Sequence, residues 1–235
     1  MIVANLATYP ARARQLRQSL PVISAQVDRV NLVLNEHESV PTWLRDFDNV
    51  YPHLPDEDYK DVGKFVFNPS EADAILLLDD DLNYPEDFVT TTMARFETLQ
   101  GQVVAGYHSS NYLPAKEPDA PRPYTRNVKH FRTPQARFLY TDQIATNSAI
   151  LRPQDMPPLD YMQGSLKFVD VRLAKWSFEQ GIAHVALPRE KWWITQIDVD
   201  VSIYESFTQT FPPHVDDEIL SYALKRPNIG KPVEI

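Results

Sequence analysis

Five consecutive small or apolar residues, Ala74 to Leu78, run straight into three aspartates, Asp79, Asp80 and Asp81. A short continuous apolar run predicts a strand buried on both faces, as in a parallel sheet sandwiched between helices. It also fixes where the like charges stand. They sit at the strand's carboxyl end, the edge at which open α/β sheets bind ligands. Three carboxylates in a row repel one another, and partial desolvation raises the cost. A divalent cation removes that cost, and an all-oxygen donor set selects Mg²⁺ or Mn²⁺. The competing reading is a solvated acidic turn ahead of a helix, whose dipole favours acids at its start.

The surrounding chain alternates strand and helix patterns. "MIVANLA", "RVNLVLN", "NVYPHL" and "QVVAGYH" read as strands. "ARARQLRQSLPVISAQ" places Leu16, Leu20 and Ile23 on one helical side, with Pro21 expected to bend or divide it. "PEDFVTTTMARFETL" reads as a helix with Pro85 near its first turn. This alternation predicts an α/β fold with a mostly parallel central sheet flanked by helices. The second half differs. Ser109 to Gln135 holds five prolines and little periodicity, which predicts a long loop or lid. "ARFLYTDQIATNSAILR" and "IAHVALP" read as strands, and "DDEILSYALKR" as a helix. "DVRLAKWSFEQG" reads as a helix with Asp170 placed to cap it and Gly181 at its end.

Composition narrows the function. The 235 residues fit one domain, 1–235. A net charge of −9 argues against a nucleic-acid-coating surface. With no Cys there is no thiolate nucleophile or thiolate metal site, and with only 6 Gly there is no Gly-rich phosphate loop. No apolar window is long enough for a membrane span, and the start lacks a signal-peptide pattern, so the expected location is cytoplasmic. Two metal or phosphate motifs overlap the aspartates. Asp79, Asp81 and Asn83 match the opening of an EF-hand, but Tyr84 and Thr90 stand where its Gly and Glu belong. A phosphatase of the haloacid dehalogenase type also follows an apolar strand with Asp-x-Asp, but Asn83 departs from its pattern.

A wider resemblance joins these pieces. "LATYPARARQLRQSLPVISAQVDRVNLVLN" resembles the opening of a bacterial, family-2-like GT-A glycosyltransferase. "DVGKF" resembles the segment before the metal strand of that family, and "LLLDDDLNYPEDFV" is similar to one version of its metal motif. "FVDVRLAKWSFEQGI" and "HVALPREKWWI" resemble its later segments, although "IATNSAI" stands where relatives often carry a Gly-rich piece.

The resemblance implies a GT-A fold, with residues 1–108 as the nucleotide-sugar half and 109–235 as the acceptor side, including the lid and a C-terminal extension. It implies inverting transfer from a UDP-sugar to a glycan or glycolipid, with Mn²⁺ or Mg²⁺. By the same likeness, Asp79 and Asp81 touch ribose and metal with Asp80 between them, and Asp170 is the base. Thr8, Arg12 and Asp61 line the nucleotide pocket, Lys64 lies near the phosphates, and His214 is a candidate third metal ligand. A catalytically silent GT-A-like binding domain is the alternative. Trp192 and Trp193 are candidates for sugar stacking or for core, and His108 is given no role.

Overall fold

The computed structural model describes residues 1–117, 119–198 and 212–234. Four strands run side by side in parallel at one edge of the main sheet: β3 (Val50–His53), β2 (Arg29–Leu34), β1 (Ile2–Thr8) and β4 (Ala74–Leu78). Next comes β11 (Ser148–Leu151), antiparallel to β4 on one side and to β6 (Val103–Gly106) on the other. Then β12 (Ala183–Ala186) lies parallel to β6, and the short β9 (Leu139–Tyr140) closes the edge antiparallel to β12. Within this eight-stranded sheet only β9 and β11 oppose the common direction, so the sheet is mostly parallel, as the alternation predicts.

Strand β4 shows why its sequence is continuous rather than alternating. Leu76 and Leu78 point to one face, with Leu16, Leu20 and Ile23 of α1 (Ala13–Ser24) and Phe88 and Phe96 of α2 (Phe88–Phe96). Ile75 and Leu77 point to the other, with Phe65, Met162 of α3 (Leu159–Met162) and Leu173 of α4 (Val169–Glu179). Both faces are therefore dry, and each side chain is removed from water at roughly 1.5–3 kcal/mol apiece. Pro21 lies inside α1 without dividing it. After the aspartates the chain makes β5 (Leu82–Asn83), which pairs with β13 (Thr195–Gln196), so α2 begins at Phe88 rather than beside Pro85.

The expected lid is not an aperiodic loop. Ser109 to Gln135 contains the antiparallel hairpin of β7 (Ser109–Pro114) and β8 (Tyr124–Lys129), and β10 (Gln143–Ile144) pairs with β7. The prolines misled because those the structure describes lie at strand ends and beyond, where no ladder N–H is needed. Pro114 closes β7, while Pro121 and Pro123 precede β8. Tyr112 and Tyr124 of the hairpin join a third apolar cluster with Val171 and Ala174 of α4 and Val215, Ile219 and Tyr222 of α5 (Pro213–Tyr222). Residues 199–211 of the expected C-terminal extension lie outside the described residues. Among the described residues, no helix is long and apolar enough to cross a membrane.

The two halves of the sheet meet closely where β6 approaches the chain around β11. A Cβ on Gly106 would stand 2.6 Å from Ile144 Cγ2, 2.8 Å from the Ser148 carbonyl oxygen and 3.2 Å from Ala149 Cα. Two of these neighbours are backbone and cannot turn away. Gly106→Ala is expected to cost about 2 kcal/mol or more through overpacking. A urea titration reads this directly, and an unchanged midpoint would show that the strands separate freely there.

Candidate active site

The aspartates stand at the carboxyl end of β4, beside the carboxyl end of β1, and each takes a different partner. In the β1–β4 register Asn5 pairs with Leu77, and continuing it sets Thr8 beside Asp80. The Thr8 hydroxyl donates to Asp80 Oδ2 at 2.6 Å, and Ser19 Oγ donates to the Asp80 carbonyl at 2.9 Å. Asp80 is thus turned inward and buried. Arg12, in the turn that enters α1, donates to Asp81 Oδ2 at 2.8 Å. Lys64 donates to Asp79 Oδ1 from the 3₁₀ turn Lys60–Phe65. Asp79 is the most open of the three, with a side chain 35% exposed.

Lys64 is the hub of a second group. Its ammonium also reaches the carbonyl and hydroxyl oxygens of Thr146, each at 3.2 Å. The Thr146 N–H donates in turn to Asp170 Oδ1 at 2.8 Å. Asp170 is not the cap its sequence position suggested. Helix α4 begins at Val169 with Phe168 at the cap position and no side-chain capping bond, and Asp170 sits in the first turn facing Thr146. Asp61 opens the same 3₁₀ turn as Lys64 and accepts the Lys167 N–H at 2.7 Å.

Crowding and burial shift the protonation of these groups. Burial pushes Asp80 up to about 7 against the Thr8 hydrogen bond, with Asp81 and Asp79 adding to the rise. Burial likewise lifts Asp61 to about 6, opposed by the Lys167 N–H and Lys64. Asp81 and Asp170 are also raised, chiefly by burial, against the opposing pull of Arg12 and of Thr146 and Lys64 respectively. Burial alone would lower Lys64. The Asp79 charge and hydrogen bond, with Asp170 and Asp61 behind them, reverse this and raise it. Among the described residues five carboxylates therefore face three cations, Arg12, Lys64 and, beside Asp61, Lys60, and the site is poor in positive charge.

The structure thus brings Thr8, Arg12, Asp61, Lys64, Asp79, Asp80, Asp81 and Asp170 to one end of the sheet. Among the described contacts His214 makes none with these residues. That residue is exposed on α5, its ring 6.4 Å edge-on from Phe168. Among the described residues no three acidic or histidine side chains converge into a ready-made metal cage. Asp79 and Asp81 can still supply one or two carboxylate ligands, the usual protein share where substrate phosphates complete the shell of Mg²⁺.

Sequence reasoning missed three contributors. Tyr84 is buried beside Asp79, accepting its N–H at 2.9 Å and donating to the Asn147 carbonyl at 2.7 Å. Thr146 links Lys64 to Asp170, and only its place in the "IATNSAI" departure marked it. Asn5, buried mid-strand, donates to the Lys64 and Phe67 carbonyls at 2.9 and 2.7 Å and so anchors the 3₁₀ turn. A polar residue inside an apolar strand pattern was the available signal. Of the two tryptophans, Trp193 is core, packed on Phe88 and Tyr107, while Trp192 is exposed.

No protein-family model matches the chain, and no curated protein matches it. Solved structures do. One, described as a glucose-1-phosphate thymidylyltransferase from Bacillus anthracis in complex with a sucrose, aligns over 92% of this chain and 99% of that one, with 9% identity and a TM-score of 0.53. At that identity the likeness is one of fold, an α/β sheet flanked by helices. The protein A197 from STIV aligns over 80% of this chain and 81% of that one with 12% identity, but its TM-score of 0.39 carries no argument.

The buried ammonium of Lys64 is what balances Asp79 and Asp170. Lys64→Met keeps the bulk and removes the charge. Leaving buried carboxylates unpaired should cost about 3 kcal/mol in metal-free buffer. Denaturant unfolding at neutral pH measures it, and a loss under about 0.5 kcal/mol would mean that Lys64 is screened by solvent and holds nothing together.

Proposed function

We propose that this chain is a metal-dependent glycosyltransferase. It moves a sugar, with inversion, from a nucleotide-diphosphate donor, UDP-linked, to a glycan or glycolipid hydroxyl. The observation that carries this reading is the excess of carboxylate over cation at the carboxyl end of β4. Among the described residues, Asp61, Asp79, Asp80, Asp81 and Asp170 are matched by Arg12, Lys64 and, at Asp61, Lys60. Such a site repels a diphosphate by itself and accepts one together with a divalent ion. Asp79 and Asp81 would hold that Mn²⁺ or Mg²⁺, which when bound neutralises charge on the leaving diphosphate.

The remaining work falls to the chain's own groups. Lys64 holds Asp79 and Arg12 holds Asp81, so both carboxylates are set in place ahead of the donor. Asp170 is the base. Burial raises its proton affinity above that of a free carboxylate, the direction that suits a base. Thr146 fixes its orientation through its N–H and its side chain. The fold likeness supports a second reading, nucleotidyl transfer to a sugar phosphate, the activity named for the Bacillus anthracis protein. A silent binding domain would keep the donor site without turnover.

Tryptophan fluorescence with UDP, with and without Mn²⁺, tests the donor site. Asp79→Ala/Asp81→Ala is expected to abolish the metal-dependent part of binding while the protein stays folded. Undiminished metal dependence in the double variant would sink the proposed site. Release of UDP from UDP-sugars marks the transferase, pyrophosphate release from a nucleoside triphosphate marks the second reading, and binding without either product marks the silent domain.

Asp170→Asn isolates the base. Asn keeps the shape and can still accept the Thr146 N–H, but it takes no proton. Turnover should fall by about a hundredfold or more, with UDP–Mn²⁺ binding retained. Near-normal turnover would show that the carboxylate only orders the start of α4.

A further inference from the structure

One group of charged and titratable side chains plays no part in this scheme. Beyond the carboxyl end of β6, His108 and His130 stand with ring centroids 5.0 Å apart, and Phe131 packs on both. Three arginines surround them. Arg189 is buried and gives its guanidinium to the Phe131 and His130 carbonyls at 3.0 and 2.8 Å. Arg132 donates to Gln196 Oε1 at 2.9 Å and lies over the exposed ring of Trp192 at 5.6 Å. Arg126, an exposed residue of β8, donates through Nε to Ser110 Oγ at 2.9 Å. Among the described residues none of the three has a carboxylate partner.

This uncompensated positive charge, in a chain of net charge −9, adjoins the carboxylate site. The Asn147 amide is 3.3 Å from His108 Nδ1, and the Asn147 carbonyl accepts from the Tyr84 hydroxyl that also holds Asp79. We propose that the cluster is the acceptor subsite and selects an acceptor bearing an anionic group, phosphate or carboxylate. The proposal rests on the glycosyl-transfer reading. A guanidinium fork matches either anion in a two-bond geometry. Burial and the nearby arginines keep both imidazoles neutral, His108 down at about 3. A neutral His108 that accepts the Asn147 amide at Nδ1 carries its proton on Nε2, where it is a donor for a ligand oxygen. Trp192 adds a flat apolar face for a sugar ring. Its backbone is held at φ 64°, a left-handed state that strains a non-glycine residue and that functional loops retain.

The test fills the donor site with UDP and Mg²⁺ and then titrates glucose 6-phosphate, glucuronate and glucose calorimetrically. An anionic sugar is expected to bind at least about tenfold tighter than glucose, less so as NaCl rises, and the phosphate-to-carboxylate ratio names the preferred anion. In Arg126→Ala the preference should collapse while UDP affinity holds. Equal binding of all three sugars, or a preference that survives both Arg126→Ala and Arg132→Ala, overturns the proposal. Arg132→Ala also serves if Arg126→Ala melts early by circular dichroism. The two readings fail separately. Absent UDP binding refutes the donor site, whereas the sugar titrations repeated without UDP still decide the basic subsite.

Discussion

One buried ammonium ties together the end of the sheet where the chemistry is expected. Lys64 is 3% exposed, and stripping water from a lysine costs several kcal/mol unless charge returns it. Asp79, Asp170 and Asp61 return it, which is why Lys64 is held protonated despite its burial. The three segments that supply its partners are distant in sequence. They are the end of β4, the loop after β10 that holds Thr146, and α4, reached through the Thr146–Asp170 bond. The turn carrying Lys64 is itself pressed onto the sheet. Asn5 ties its backbone from beneath, and Gly63 lets it approach so closely that a Cβ would stand 3.0 Å from Ala7 Cβ and 3.1 Å from Val33 Cγ1.

The sheet was legible in the sequence because its signal is local. Ala74 to Leu78 had to be buried on both faces, and the strands on either side of it are mostly apolar. The clustering of Thr8, Arg12, Asp61 and Lys64 around the aspartates was implied by the family resemblance, and it fits a parallel sheet, whose carboxyl ends converge. What stayed hidden depends on pairings between distant residues. Nothing in "DDD" says that Asp80 turns inward to Thr8 while Asp79 and Asp81 turn to Lys64 and Arg12. Asp170 reads as a cap from its neighbours, and only the fold places Thr146 against it. The β7–β8 hairpin was masked by prolines, although Tyr112 and Tyr124 carried its apolar face. His108 reads as an isolated residue until β8 and the chain beyond it bring Arg126 and His130 alongside.

The two sides of this sheet edge carry opposite charge, and the contrast has a physical logic. If both substrates are anions, as proposed, one broad basic cleft would lose discrimination between them. On the proposed donor side the carboxylates would keep a free diphosphate out until a cation accompanied it. On the other side the arginines need no ion, because their charge is already set and partly desolvated. Tyr84 and Asn147 lie at the boundary, bonded to Asp79 on one hand and to His108 on the other. Neither is ionised at neutral pH, so they separate the two fields without adding to either. Lys64 and Arg12 each occupy one oxygen of Asp79 and Asp81. The second oxygens are thereby aimed before any ligand arrives, and less ordering is left to be done when one binds.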